Sequence, residues 1–307
     1  NAAPLSCSGR NWHQRQDSMK HIETIREMQS LSLEWKRAGL YTALVPTMGA
    51  LHEGHLSLIR RACQAVQLHG KVIVSIFVNP IQFGPNEDFE KYPRDLERDL
   101  RLCQEVGADA VFTPTNEMMY TKAAENPALS HSTFVQEEIL AKSMEGERRP
   151  THFRGVTTVV SKLFNITLPD YAIFGEKDFQ QVAIIQRMVR DLSFPVEIIV
   201  SPIVREADGL AMSSRNKYLS TDERKQALCL FRALEKAKQL VAGRVYSPEE
   251  LRSELCRDIE ENPAAKVDYI EFIDPVTLVP VAEVKPGVRM AMAVYVGTTR
   301  LIDNAAL

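Results

Sequence analysis

Tyr41-Thr42-Ala43-Leu44-Val45-Pro46-Thr47-Met48-Gly49-Ala50-Leu51-His52-Glu53-Gly54-His55 is the stretch on which the reading of this chain turns. It starts as an apolar run, Tyr41–Val45, of strand length. It ends where an amphipathic segment, Leu56–Gln67, takes up a helical period. Two glycines and two histidines therefore fall at a strand-to-helix junction. A helix start offers backbone N–H groups and the positive end of a dipole, which suits phosphate. Glycine lets backbone approach a ligand closely, and imidazoles donate hydrogen bonds to charge developing on a phosphoryl group.

Outward from this junction the same alternation repeats. Strands are expected at Val72–Val78, Ala110–Thr113, Tyr171–Phe174 and Val196–Val200, and helices at Arg94–Val106, Gly155–Thr167 and Phe179–Leu192. The run Val72-Ile73-Val74-Ser75-Ile76-Phe77-Val78 is almost wholly apolar, as a strand covered on both faces must be. Strands alternating with helices predict an α/β fold with a doubly wound parallel sheet. Beyond residue 204 the pattern changes. Ser220–Glu223 and Ser247–Glu250 carry capping-box spacing, and two strands follow at Val267–Ile273 and Arg289–Val296. The expected division is 19–203 for the larger domain and 204–307 for a second, smaller α+β domain.

Residues 1–18 have neither periodicity nor an apolar core, whereas Met19-Lys20-His21-Ile22 begins an amphipathic pattern. Met19 is read as the natural start and 1–18 as a tag or upstream extension. The 307 residues are 45% hydrophobic and 25% charged, which fits a globular chain with a large core and not disorder. A net charge of −3 gives no reason to expect nucleic acid, and no apolar run approaches the ~18 residues of a membrane helix. Five dispersed cysteines form no metal or redox spacing and read as reduced thiols, which places the chain in the cytoplasm.

Three more blocks carry chemistry. Phe77–Gly84 puts Asn79 and Gln82 past the end of the most apolar strand, where ligands of parallel sheets bind; neutral amides suit a small polar substrate. Phe174–Gln181 puts Lys177 and Gln181 at another strand end. Arg205–Asn216 holds Met212-Ser213-Ser214-Arg215, two hydroxyls and a guanidinium suited to polyphosphate oxygens. Each has an ordinary reading: histidines as cap and surface residue, Asn79-Pro80 as a turn, Glu-Lys-Asp and Ser-Ser-Arg as solvated loops. Their order along the chain argues against four accidents. His52 and His55 do not read as half of a zinc site, since no third-ligand cluster is evident.

Together these blocks resemble the pantothenate synthetase (pantoate–β-alanine ligase) family of adenylate-forming nucleotidyltransferases, whose H-x-G-H-type signature reads His52-Glu53-Gly54-His55 here. The resemblance runs from about Met19 to the C-terminus and implies a Rossmann-like fold. It also implies ATP- and Mg²⁺-dependent conversion of pantoate to a pantoyl adenylate, then aminolysis by β-alanine. By the same resemblance Pro46, Met48, Gly49, Ala50, Leu51, His52, Glu53, Gly54 and His55 belong to the ATP site, as do Gly175, Glu176, Lys177, Asp178, Val204, Met212, Ser213, Ser214 and Arg215. His52, His55, Lys177, Ser213, Ser214 and Arg215 are the catalytic set, and Gln82 and Gln181 hold pantoate, with Asn79 and Tyr92 beside them. Asp99 is expected on the magnesium side. A homodimer is implied, with Phe112–Leu140 contributing. A transferase acting on a phosphorylated substrate is the second enzyme reading, against which Gln82 and Gln181 stand where Arg or Lys would be needed. A catalytically silent nucleotide-binding protein is the third, opposed by the intact His52, His55, Lys177 and Arg215.

Overall fold

A computed structural model of the chain describes residues 19–85, 87–122 and 127–307. Residues 1–18, expected to be a tag or upstream extension and including Cys7, lie outside these described residues.

A central sheet carries the larger part. Its elements run β1 (Lys20–Ile22), α1 (Ile25–Arg37), β2 (Tyr41–Thr47), α2 (Glu53–Val66), β3 (Gly70–Ile76), α3 (Leu96–Glu105) and β4 (Ala110–Phe112). Two single turns, α4 (Asn116–Met119) and α5 (Glu145–Arg148), lead to α6 (His152–Thr167), β5 (Tyr171–Gly175), α7 (Phe179–Asp191) and β6 (Glu197–Ser201). All six strands are parallel in the order β1-β4-β3-β2-β5-β6. The chain winds from β2 outward through β3 to β4, then returns to β5 on the other side of β2. That reversal leaves a crevice beyond the carboxyl ends of β2 and β5, the place where such sheets bind ligands.

Successive strand residues point to opposite faces, and both faces are covered. Leu44, Ile73, Ala172 and Phe174 pack with Met28, Trp35, Val156, Phe164 and Ile184 from α1, α6 and α7. Ala43, Val45, Val72, Val74 and Ile173 pack with Leu51, Ile59 and Cys103 toward α2 and α3. This double burial is why the strands read as unbroken apolar runs.

The remainder forms α8 (Thr221–Gln226), α9 (Leu228–Gly243), α10 (Pro248–Glu260) and an antiparallel sheet of β7 (Ala265–Ile273), β8 (Arg289–Val296) and β9 (Thr299–Ala306), with its own core. Ser220 and Glu223 form the expected capping box, and Ser247 caps α10. The third strand, β9, was not expected from the sequence. Its Arg300, Asp303 and Asn304 interrupt the apolar pattern because they reach other parts of the molecule. Of the central helices, α2 begins three residues before Leu56, α6 begins at His152 instead of Gly155, and α3 begins at Leu96 because Asp95 accepts from the Arg98 amide.

Candidate active site

The loop from β2 to α2 turns through two left-handed residues, Gly49 (φ +80°) and Ala50 (φ +51°). His52 then caps α2 with its imidazole: Nδ1 accepts the Gly54 N–H at 3.2 Å, while Nδ1 of His55 accepts the His52 N–H at 3.4 Å. The two histidines thus fill both roles of a capping box. The rings lie 4.1 Å apart. A ring nitrogen that accepts carries no proton, so each neutral imidazole bears its hydrogen on Nε2. Burial, with Lys177 and Lys217 nearby, lowers His52 to about 4; burial, His52 and Lys177 lower His55 to about 3. Both rings are therefore uncharged Nε2–H donors near neutral pH. Gly54 makes room for the His52 ring, since a Cβ there would sit 2.8 Å from Cε1 and 2.9 Å from Nδ1 of His52.

This geometry corrects the expectation that backbone N–H groups at the helix start are free for phosphate. The Gly49 amide donates to Thr47 Oγ1, those of Ala50 and Leu51 to Asp99, that of His52 to His55 and that of Gly54 to His52. These amides are committed within the turn, and the donors left to the two rings are their Nε2–H groups, of which that of His55 belongs to a residue lining the cleft. Asp99, expected on the magnesium side, does not line the cleft that holds His55 and Lys177. It is 1% exposed, and its two oxygens take the Ala50 and Leu51 amides at 2.7 and 2.9 Å.

Opposite, β5 ends in Gly175 and a single turn, Glu176–Asp178, that presents Lys177 and Asp178 to the cleft. The turn is fastened from β9 and β8. Asn304 Nδ2 donates to the carbonyls of Glu176 and Lys177, both at 3.0 Å, and Arg289 pairs with the Glu176 carboxylate at 2.8 Å. Glu176 therefore points at Arg289, as Glu53 points at Arg60 on the outer face of α2.

The third wall is a tight hairpin in which the Met212 N–H donates to Val204 O at 3.0 Å and Arg205 bridges to Ala211. A bidentate pair between Arg205 and buried Asp303 of β9, at 2.7 and 2.9 Å, ties it to the small sheet. Ser213 caps the turn Ser214–Tyr218 by accepting the Arg215 N–H. The buried Ser214 hydroxyl lies 3.4 Å from that of Tyr92, whose phenol burial pushes upward in pKa. Arg215 is held by Asp88 at 3.0 and 3.2 Å.

The fourth wall brings together the neutral amides. Asn79 Nδ2 donates to Gln82 Oε1 at 3.0 Å and to Gly155 O at 3.1 Å, and Gln82 Nε2 lies 3.1 Å from Met48 Sδ. Gln181 lines the same cleft, whereas its neighbour Gln180 holds Glu145, Leu140 and Ser143 backbone. The Asn79 Oδ1 and Ser75 Oγ atoms are buried at the cleft without hydrogen-bond partners, an arrangement that a polar ligand would satisfy. His152, unmarked in the sequence reading, opens α6 with Nδ1 3.0 Å from Gln82 O and Nε2 3.3 Å from Arg149, which pairs with Glu87. Burial and then Arg149 lower His152 to about 4. Its place at a helix start, like that of His52, was the available signal. Arg149, Glu87 and Lys217 carried none, because their roles arise from contacts distant in sequence.

These walls enclose a cleft of about 750 Å³. Pro46, Met48, His55, Asn79, Gln82, Tyr92, Lys177, Asp178, Gln181, Ser213 and Arg215 all line it. Among the described residues no group of three or more His, Cys, Asp or Glu side chains is placed to hold a metal ion, and no helix is long and apolar enough to cross a membrane.

A parallel sheet with a reversal crevice, paired neutral imidazoles past the end of β2 and a lysine past the end of β5 defines a nucleotide-dependent transferase or ligase without a phosphate-binding glycine-lysine loop. The chain belongs to the pantoate-beta-alanine ligase family, whose family model matches residues 20–306. The pantothenate synthetase of Clostridium novyi is 51% identical over 286 residues, covering 93% of this chain and 98% of its own, and that of Moorella thermoacetica is 51% identical over 289 residues, covering 94% and 99%. The crystal structure of the Thermus thermophilus pantothenate synthetase superposes with a TM-score of 0.81 at 43% identity, covering 94% of this chain and 99% of that one. The Francisella tularensis pantoate-beta-alanine ligase, complexed with beta-gamma ATP and beta-alanine, superposes at 0.77 and 33% identity, covering 94% and 97%.

Proposed function

We propose that the chain condenses pantoate with β-alanine at the expense of ATP, through a pantoyl adenylate. A pantoate carboxylate oxygen attacks the α-phosphorus and pyrophosphate leaves; the β-alanine amine then attacks the acyl carbon, loses a proton, and AMP leaves. Neither step needs a covalent bond to protein, so positioning and charge stabilisation dominate.

The observation that carries this reading is the neutral, Nδ1-anchored His55 in one cleft with Lys177 and the amides of Asn79, Gln82 and Gln181, its ring 4.1 Å from that of His52. His52 and His55 donate Nε2–H to oxygens of the α-phosphate as it becomes five-coordinate. Lys177, Ser213, Ser214 and Arg215 hold the other phosphates, Arg215 after exchanging Asp88 for them. The loop Pro46–Leu51, Gly175–Asp178, Val204 and Met212 frame the nucleotide. Gln82 and Gln181 hold pantoate, with the unpartnered Asn79 Oδ1 beside them for a hydroxyl and Tyr92 at the edge. A phosphorylated acceptor would leave these amides facing a dianion.

Mg²⁺ would neutralise phosphate charge. With no three-ligand cluster among the described residues, it would fit here as an ion carried largely by phosphate and water; of the carboxylates that line the cleft, Glu87, Glu145 and Asp303 are held by Arg149, Arg300 and Arg205, which leaves Asp178, and Asp88 once Arg215 turns to phosphate, to approach it. We read residues 204–307 as a lid on 19–203, the protein as cytoplasmic, and the active form as a homodimer. Within Phe112–Leu140, buried Phe112 offers nothing to a partner, while Met118, Leu129 and Ile139 are 39%, 67% and 69% exposed.

ATP–pyrophosphate exchange is the test. Exchange that requires pantoate but not β-alanine is expected; ATP binding without exchange would refute the reading, and exchange with phosphate esters in place of pantoate would favour the transferase.

A further inference from the structure

We infer that Asp99 is a positioning residue: its buried carboxylate holds the strained Gly49–Leu51 turn and so sets where the two imidazoles stand. The inference rests on the proposed adenylation and deepens it.

The turn contains a conformation that its sequence does not favour. Gly49 adopts φ +80° at little cost, but Ala50 at φ +51° carries a Cβ in the left-handed region, where it crowds the following carbonyl. Such a residue persists only where its surroundings over-determine it. Asp99, in the first turn of α3, supplies this with one oxygen on the Ala50 N–H at 2.7 Å and the other on the Leu51 N–H at 2.9 Å. The preceding Arg98 donates to Leu51 O at 2.9 Å, so the two peptide groups that flank Leu51 are both gripped from the same helix. Gly49 leaves the space the carboxylate needs, for a Cβ there would lie 3.0 Å from Asp99 Oδ2. His52 follows directly, and its backbone N–H is the group that His55 accepts. A shift of the Leu51–His52 peptide therefore moves both imidazoles together. Asn at position 99 would offer one acceptor where two amides need one each, and would set an amide N–H₂ against a backbone donor.

The experiment compares Asp99→Asn, Asp99→Asn with Ala50→Gly, and Leu31→Ala in α1 as a stability control remote from the site. Pantoate-dependent ATP–pyrophosphate exchange is measured with saturation in ATP, pantoate and Mg²⁺, and ¹⁵N-histidine NMR reports the ring tautomers. Exchange by the wild-type chain is the first arm; its absence sinks the proposed function and not this inference. With exchange present, D99N is expected to lose at least tenfold in kcat with pantoate KM and the half-saturating Mg²⁺ within twofold, and to lose Nδ1-acceptor signatures at two histidines. Ala50→Gly, which removes the left-handed cost, is expected to restore at least fivefold of that loss. The inference is overturned if D99N stays within threefold of wild type, if L31A with a matched fall in Tm loses as much, or if the main change is a rise in half-saturating Mg²⁺. Should D99N not accumulate as folded protein, Arg98→Ala tests the same grip, and unaltered exchange and tautomers there overturn it.

Discussion

Replacing Gly54 by Ala separates stability from activity at the histidine pair. Gly54 is the second residue of α2, and its added Cβ would lie 2.8 and 2.9 Å from atoms of the His52 ring and 3.7 Å from Met212 Cβ. The ring must swing away, which breaks the 3.2 Å bond from the Gly54 N–H to Nδ1. Losing a helix cap costs about 1 kcal/mol, but Ala in place of Gly returns up to about 1 kcal/mol of helix propensity. Net stability should change by less than about 1 kcal/mol, a Tm shift of a few degrees. The proposed adenylation has no such offset, because the Nε2–H vector of His52 is lost. Removing one preorganised donor of this kind costs about 10²–10³ in kcat, and a displaced donor should lose about 10–10². Thermal melting together with pantoate-dependent exchange measures both. Exchange within twofold of wild type at unchanged Tm would refute the claim that the cap aims the catalytic ring.

His52, His55 and His152 sit near 4, 3 and 4 against an ordinary 6.5. The unfolded chain takes up these protons before the native one, so the stability they contribute is complete above about pH 6.5 and drains as pH falls through 4 toward about 3. Calorimetry should show Tm dropping over that window, and kcat/KM for exchange should show no acid limb centred near 6.5; such a limb would mean that the free enzyme's rings titrate normally. Arg205→Ala strands the buried Asp303 carboxylate and should cost about 3–5 kcal/mol in denaturant unfolding; a loss under 1 would remove the pair as a fastener of the hairpin. Asn304→Ala releases the carbonyls of Glu176 and Lys177 and should raise the KM for ATP about tenfold with pantoate KM unchanged; equal changes in both would contradict its action through the Lys177 turn.

What the sequence disclosed follows from burial. β2, β3 and β5 are covered on both faces, so their apolar runs and bounding glycines stand out, and the four motif blocks sit at their ends or on the hairpin. β1, three residues long, has too little pattern to show. β9 was hidden because Arg300, Asp303 and Asn304 serve Glu145, Arg205 and the Lys177 turn. In the site, residue types that need a strand end or a tight turn were legible, whereas pairings across the chain were not. Asp99 is the clearest case: an acidic residue in the first turn of an amphipathic helix looks like many others, and only the fold shows it beneath Ala50 and Leu51.

The central claim is that pantoate's carboxylate attacks the α-phosphate between the two imidazoles. Pantoate labelled with ¹⁸O in its carboxylate, incubated with ATP, Mg²⁺ and β-alanine, tests it directly by mass spectrometry of the AMP formed. One ¹⁸O per AMP is expected. Label found in inorganic phosphate or pyrophosphate, with none in AMP, would contradict it.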